Sequence, residues 1–387
     1  MRKIFSKIDK PLLFITIAFF LFGLVMVLSA SSMESYMRYG YGPYHYFYRQ
    51  AIFVALGLII FFIIIRIPTK TYTFFSYLLM IGIIVVLGAL SVYGYVANSA
   101  QSWFKIGSVS IQPSEFAKVI GIVFLGCYYG KNRDNLHDLK VLLLPLIPII
   151  ISFGLVLIQP DLGTALIIGL ITCCMFFSLP MPKRNLRKFQ LIIVGAVVLV
   201  VGIYAITGGK ILKDYQKERF NFKDPCERYQ EDSGYQLCNS FIAFKNGGLT
   251  GQGIGKSTQK YLYLPESYTD FIFPIIVEEW GAFVGVLLVL IYLFVIYRLY
   301  RIARRASTLQ GSLIAYGICM YLFLHVAINL GGVMGLVPLT GVPLPFLSYG
   351  GSYVISLMVA LGIAQRVAIE SNEKPKIKKK QASKKEA

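Results

Sequence analysis

Residues 265–281 read PESYTDFIFPIIVEEWG, and the apolar run they open continues to Tyr297. Three carboxylates, Asp270, Glu278 and Glu279, stand at or just inside its start. An ionised group in hydrocarbon costs about 3 kcal/mol or more, so acids kept in such a place are paired or functional. The rest of the chain decides that the phase is hydrocarbon. It is 56% hydrophobic and 15% charged, with a mean hydropathy of +0.65. Stretches such as PLLFITIAFFLFGLVMVLSA (11–30) and QLIIVGAVVLVVGIYAIT (190–207) come close to the roughly 20 residues that cross a bilayer. The first has no small-residue cleavage site and many more such runs follow it, so it reads as a span and not as a removed signal.

Ten helices are expected, at 11–30, 50–66, 73–95, 113–130, 141–159, 163–180, 189–207, 271–297, 311–336 and 350–368. The fold class is an all-α polytopic membrane protein. With the N-terminus inside, 25 of the 38 Lys and Arg fall on the inner side and 12 outside, with Lys118 within a span. Nine of the outer ones belong to one long loop, which the positive-inside rule discounts. Both termini are therefore placed in the cytoplasm, with a large outer loop, 208–270, between helices seven and eight. Residues 1–369 form a single transmembrane domain, and 370–387 a basic tail expected to be disordered. The net charge of +19 follows from this orientation. It points to anionic lipid head groups or solvent, not to nucleic acid.

Polar chemistry gathers on the outer side. A loop of about sixty residues serves function or is disordered. Within it, GGLTGQGIGKST fails as a phosphate-cradling loop, because the position that needs glycine is Thr250 and no strand precedes it. Its glycines suit tight turns or close backbone approach. Cys226 and Cys238 share this loop, where a disulfide is expected; the alternative is two free thiols. The other four cysteines read as small packing residues within spans. His45, His137 and His325 lie too far apart to hold a metal, and no Ser-His-Asp arrangement exists. Glu115 and Lys118 are three apart, on one helix face. They are either a neutralising ion pair or a polar site where Lys118 meets a phosphate. Asp161 opens helix six, where an acid caps free amides. The segment PLTGVPLPFLSYGGS (338–352), with three prolines and three glycines, cannot be a regular helix. At membrane depth such backbone must be buried in protein or line a wet cavity.

Together, PLTGVPLPFLSYGGS, YLPESYTDFIFPIIVEEWG (263–281) and QPSEFAK (112–118) closely resemble the FtsW/RodA/SpoVE family, also called SEDS proteins. The resemblance covers nearly the whole chain. DKPLLFITIAFFLFGLVMVLSASS and AQSWFKIGSVSIQPSEFAK look more like the division-type branch of Gram-positive bacteria than the elongation-type branch. The resemblance implies a peptidoglycan glycosyltransferase that polymerises lipid II at the outer face of the cell membrane. It implies work at the division septum with a class B penicillin-binding protein and other divisome proteins. The family's essential aspartate falls on Asp270. Its outward helix-four motif falls on Glu115 and Lys118, and its signature loop on Pro343, Pro345, Ser348 and Gly350. Two positions depart from the pattern. Tyr268 stands where many members carry His, so no proton relay is carried over to it. Gln101-Ser102 precede Trp103 where many members have Arg, so no phosphate contact is carried over there.

The chemistry agrees with that assignment. Lipid II carries a polyprenyl tail, a pyrophosphate and a disaccharide, so its enzyme needs a lipid-facing groove, cations and an acid or base at the interface. Asp270 is the candidate general base. Lys256 joins Glu115, Lys118 and the signature-loop residues as a candidate substrate contact, and Asp161, Glu278, Glu279 and Arg219 are candidate supporting groups. Glu278 lies eight residues past Asp270, about 12 Å along a continuous helix. That exceeds the roughly 5–10 Å of paired glycosidase carboxylates, so one catalytic acid is expected. No protein metal site is expected; a divalent cation (Mg2+ or Mn2+) at the pyrophosphate is left open. The rival readings are an elongation-type polymerase, a lipid II flippase and a scaffolding division protein. Distinctive residues on one side only, and the lack of an obvious internal repeat, argue against the flippase.

Overall fold

The computed structural model describes residues 6–97, 100–107, 109–191, 195, 202 and 224–373. Its long helices are α1 (Lys10–Tyr39), α2 (His45–Ile64), α3 (Thr69–Tyr93), α4 (Pro113–Lys131), α5 (Leu139–Leu143), α6 (Leu146–Ile158) and α7 (Leu162–Phe177). They continue with α8 (Asp232–Gly247), α9 (Ile272–Arg305), α10 (Leu309–Val333) and α11 (Gly351–Glu373). Seven stretches are long and apolar enough to cross a membrane, with α5 and α6 counted together, and α7 is a shorter apolar helix. The chain is thus a polytopic helical membrane protein. Of the ten expected spans, 189–207 lies largely outside the described residues; the other nine coincide with helices of the structure.

The first helix begins and ends for local reasons. Asp9 caps α1 by accepting from the Leu12 amide at 3.1 Å, and Pro11 sits in the first turn where no amide is needed. The helix stops at Gly40, whose φ of 65° is the left-handed conformation that glycine adopts freely. Thirty residues rise about 45 Å, well past a core of about 30 Å, so the polar end Glu34–Arg38 stands clear of hydrocarbon. This corrects the expected end at residue 30: the helix carries on once its side chains turn polar.

Two further elements were not expected. Between the expected spans 73–95 and 113–130 the chain carries a three-stranded antiparallel sheet, β1 (Tyr95–Ala97), β2 (Ala100–Ile106) and β3 (Val109–Ile111). The long outer segment holds α8, and a disulfide joins Cys226 to Cys238 just before and within it. α11 runs to Glu373, beyond the tail boundary expected at 369.

Burial sorts the helices. In α10 and α11 about four fifths of the apolar window is buried, against roughly a quarter in α2 and α3. α10 and α11 form the centre, and α2 and α3 face lipid. α4 is almost wholly buried although it carries Glu115 and Lys118. A helix wrapped by protein does not need an apolar surface all round.

Side-chain links define the two ends of the bundle. Lys7 pairs with Glu373, the Arg298 guanidinium with Asp9, and the Asn372 amide donates to the Lys7 carbonyl at 2.8 Å. Both ends of the described chain therefore lie on one face, as the basic-residue pattern requires. The signature loop, the α4 start and Asp270 collect at the other.

Candidate functional site

The site is organised by one stripe of α10. Tyr321, His325 and Asn329 are spaced by four, so they line one helix face. Asn329 donates to two carbonyls, Asp270 O and Val342 O, both at 2.8 Å. It thereby fixes the residue before α9 and the signature loop to one side chain. His325 lies 3.1 Å from the Lys118 ammonium through Nε2 and 3.4 Å from Pro343 O through Nδ1. Tyr321 lies beneath the same ammonium, 5.6 Å from it, and Tyr353 of α11 is 5.9 Å away.

Asp270 is half-buried in the turn that leads into α9. A methyl group built on Gly341 would stand 3.2 Å from its Oδ2, so the carboxylate lies directly over the Gly341 backbone. Gly341 has a φ of 69°, which suits a residue without a side chain. The flanking residues are pinned as well. Ser348 Oγ donates to Thr269 O at 2.6 Å and accepts from Leu344 N at 2.8 Å, while Tyr349 N donates to Tyr268 O at 2.8 Å. Gln50 of α2 reaches the same loop, donating to Ser348 O at 3.0 Å and accepting from Gly350 N at 3.2 Å. Burial, then a hydrogen bond with Tyr46, pushes the Tyr268 phenol far above its ordinary range.

The signature loop meets the condition for irregular backbone at membrane depth over residues 344–348, which are buried in protein. Tyr292 of α9 donates its hydroxyl to Pro345 O, and Phe346 stacks on Phe19 of α1 with centroids 5.3 Å apart. Pro345 and Ser348, expected as substrate contacts, are buried and have their polar atoms bound within the protein. Their observed work is to shape the loop. Pro343 and Gly350, on either side of that buried stretch, are half-buried.

Glu115 and Lys118 form an ion pair at 2.8 Å with both side chains almost fully buried. The cavity beside Lys118 has room for about one water. The ammonium is engaged by Glu115 and His325, which is the arrangement of the neutralising ion pair, one of the two readings the spacing allows. Asp161 caps α7 by accepting from Thr164 N at 3.0 Å, and its other oxygen accepts from Gln112 just before α4 at 2.9 Å.

Glu278 and Glu279 hold the outer segment onto the bundle. Glu278 is fully buried and accepts from Asn246, Ser257, Thr258 and the Gln259 amide. Glu279 pairs with Lys260 at 2.8 Å and accepts from Ser29 of α1. α9 breaks right after them at Gly281, whose φ is 85°. The freed groups are met by residues 248–253: Ala282 N donates to Gly248 O at 2.9 Å, and Gln252 N to Glu278 O at 2.9 Å. The glycines that imitate a nucleotide loop serve this approach, since a methyl on Gly251 would fall 2.4 Å from Glu279 O. Lys256, singled out by its glycine context, is exposed. The buried cation is Lys260, four residues on. Arg219 lies outside the described residues.

Sequence reasoning missed Asn329, Gln50 and Lys260, and weighed His325 only as a metal ligand. The 321/325/329 spacing in an otherwise apolar helix was the available signal. Among the described residues no three His, Cys, Asp or Glu side chains group as metal ligands.

An acid held at the outer mouth of a helical bundle by a buried polar stripe defines a polytopic membrane protein with an outward-facing, interfacial site. Comparison with known proteins then fixes the family. Residues 10–373 match the model described as "Cell cycle protein", FtsW/RodA/SpoVE, and the chain belongs to that family. It is 40% identical to the "Probable peptidoglycan glycosyltransferase FtsW" of Bacillus subtilis, across 95% of this chain and 92% of that one. It is 35% identical to "Stage V sporulation protein E" of the same organism, across 93% and 96%. Among solved structures it resembles a chain described as "Structural coordination of polymerization and crosslinking by a peptidoglycan synthase complex". That match has a TM-score of 0.74 and 26% identity, over 95% and 99% of the two chains. The rod shape determining protein RodA of Thermus thermophilus matches with a TM-score of 0.65 and 27% identity, over 93% and 96%.

Proposed function

We infer that this chain is a peptidoglycan glycosyltransferase that polymerises lipid II at the outer face of the cell membrane, with Asp270 as general base. The observation that carries the reading is the placement of Asp270. Its carboxylate stands over Gly341 at the outer end of the bundle, with its backbone tied to α10 through Asn329. The names of the relatives supply the reaction class, and membership in a cell cycle family supports a role at the septum.

In the reaction, the 4-hydroxyl oxygen of one sugar bonds to the anomeric carbon of another. The bond from that carbon to the pyrophosphate breaks, and lipid pyrophosphate leaves with the electron pair. The Asp270 carboxylate accepts the hydroxyl proton as the new bond forms. Its fixed backbone supports this, because a general base works only within hydrogen-bond reach of the proton. Exposed Lys256 is a candidate cation for the phosphates. Among the described residues no three His, Cys, Asp or Glu side chains converge, so a divalent cation at the pyrophosphate would take its ligands chiefly from the substrate.

A class B penicillin-binding protein is the proposed partner, supported by the likeness to a chain of a complex that joins polymerization to crosslinking. The test is purified protein with labelled lipid II, with and without that partner. Polymer formation supports the reading. Lipid movement between leaflets without polymer would replace it with a flippase, and neither outcome would leave a scaffold.

A further inference from the structure

The inner face holds a cavity the proposed reaction does not use. It lies where α1, α9 and α11 meet, has a volume of about 340 Å3, and is lined by Asp9, Lys10, Arg298, Arg301, Arg305 and Asn372 among others. Four cations face one carboxylate. Asp9 is already engaged, since Arg298 binds both of its oxygens. Arg301 is half-buried, and among the described residues no carboxylate pairs with it, with Lys10 or with Arg305. Arginines without a role normally extend into solvent, and a planar fork of five donors suits phosphate oxygens.

The depth of the cavity says which phosphate. Lys10 begins α1 just before its apolar run, so the cavity lies at head-group level on the inner side. One helical turn toward the membrane, Phe14 lies above Lys10 and Tyr297 above Arg301 on the same helix faces. Both are exposed, at 74% and 55%. The walls therefore pass from cationic to apolar within one turn, as a phospholipid does between its phosphate and its chains.

We propose that this cavity is a binding site for the phosphodiester head group of an anionic phospholipid of the inner leaflet, with Arg301 and Arg305 gripping the phosphate and the acyl chains lying along α1 and α9. Such basic pockets between helices on the inner side are suited to anionic head groups. Occupancy would brace α9, whose other end carries Glu278, Glu279 and the approach to Asp270.

The test titrates lipids into the detergent-purified full chain and follows bound lipid by native mass spectrometry and the thermal midpoint. Phosphatidylglycerol should bind and raise the midpoint, while phosphatidylcholine and inorganic phosphate should do so far less. Arg301→Gln with Arg305→Gln should weaken phosphatidylglycerol binding roughly thirtyfold, as expected for two basic contacts. Arg184→Gln with Lys188→Gln, which removes the same charge elsewhere on the inner side, should leave it within about twofold. Equal binding of both lipids, a full effect from inorganic phosphate, or equal losses in the two double variants would overturn the proposal. If the Arg301/Arg305 variant does not fold, the comparison of the two lipids and phosphate on the wild-type chain decides alone.

Discussion

The two ends of the bundle differ in how deeply they bury their ion pairs. At the inner face the ion pairs sit near water: Lys7–Glu373 is 33% and 43% exposed, and Arg298–Asp9 is 15% and 11% exposed. At the outer end Arg38–Glu34 is likewise open to water on one side, at 56% and 6%, but two further pairs are enclosed: Lys260–Glu279 at 4% and 0%, and Lys118–Glu115 at 1% and 4%. Water screens Lys7–Glu373, so that pair fastens the helix ends weakly and tolerates loss. The two enclosed pairs cannot reach water. Each partner depends on the other: one pair holds the outer segment on α9 and α1, and the other meets His325 beneath the signature loop. The difference teaches that the fold concentrates its electrostatic risk where its chemistry is placed.

The largest effect should come from Lys260→Met. It leaves Glu279 buried and unpaired between α9 and α1, a change that costs about 3–5 kcal/mol. Thermal unfolding in detergent should drop sharply, and adding Glu279→Gln should recover most of the loss. A midpoint close to wild type for the single variant would mean that water reaches this pair.

Lys118→Met should come next. Glu115 keeps only distant alternatives, and its Oε2 already lacks a partner among the described residues. Glu115→Gln added to Lys118→Met should restore the fold and much of the activity if the pair acts by neutralisation and positioning. Restored stability without activity would instead assign Lys118 a direct part in the reaction. The smallest effect belongs to the inner face. Lys7→Ala should change stability by no more than about 0.5 kcal/mol after solvent screening, and less still at high salt. A loss as large as that from Lys260→Met would erase the contrast between the two ends.

Much of this was legible in the sequence because length and apolarity report spans directly. Nine expected helices coincide with observed ones, and the basic residues sort the loops onto two faces. Asp270 stood out as an acid at the start of an apolar run, and Asp161 as a cap, because both signals are local. What stayed hidden depends on contacts between distant segments. Nothing near Lys260 says that Glu279 and Ser29 will enclose it, whereas Lys256 sits in a conspicuous glycine context and ends exposed. His325 is separated from Lys118 by 207 positions. The break at Gly281 reads as an unremarkable glycine in an apolar run until residues 248–253 are seen to fill the gap. Helix α4 shows the same point from the other side: its charges lower its apolarity, yet it is among the most enclosed helices because protein surrounds it.

The most direct measurement is lipid II polymerisation by Asp270→Asn, purified with its partner. The substitution removes the base while keeping side-chain size, and the Asn329 bond goes to the backbone carbonyl, which is unchanged. General-base assistance is worth about 10²–10⁴ in rate, so polymer should fall below detection in a gel assay while yield, thermal midpoint and partner binding stay near wild type. Polymerisation within a few-fold of wild type would contradict the assignment of Asp270 as the base.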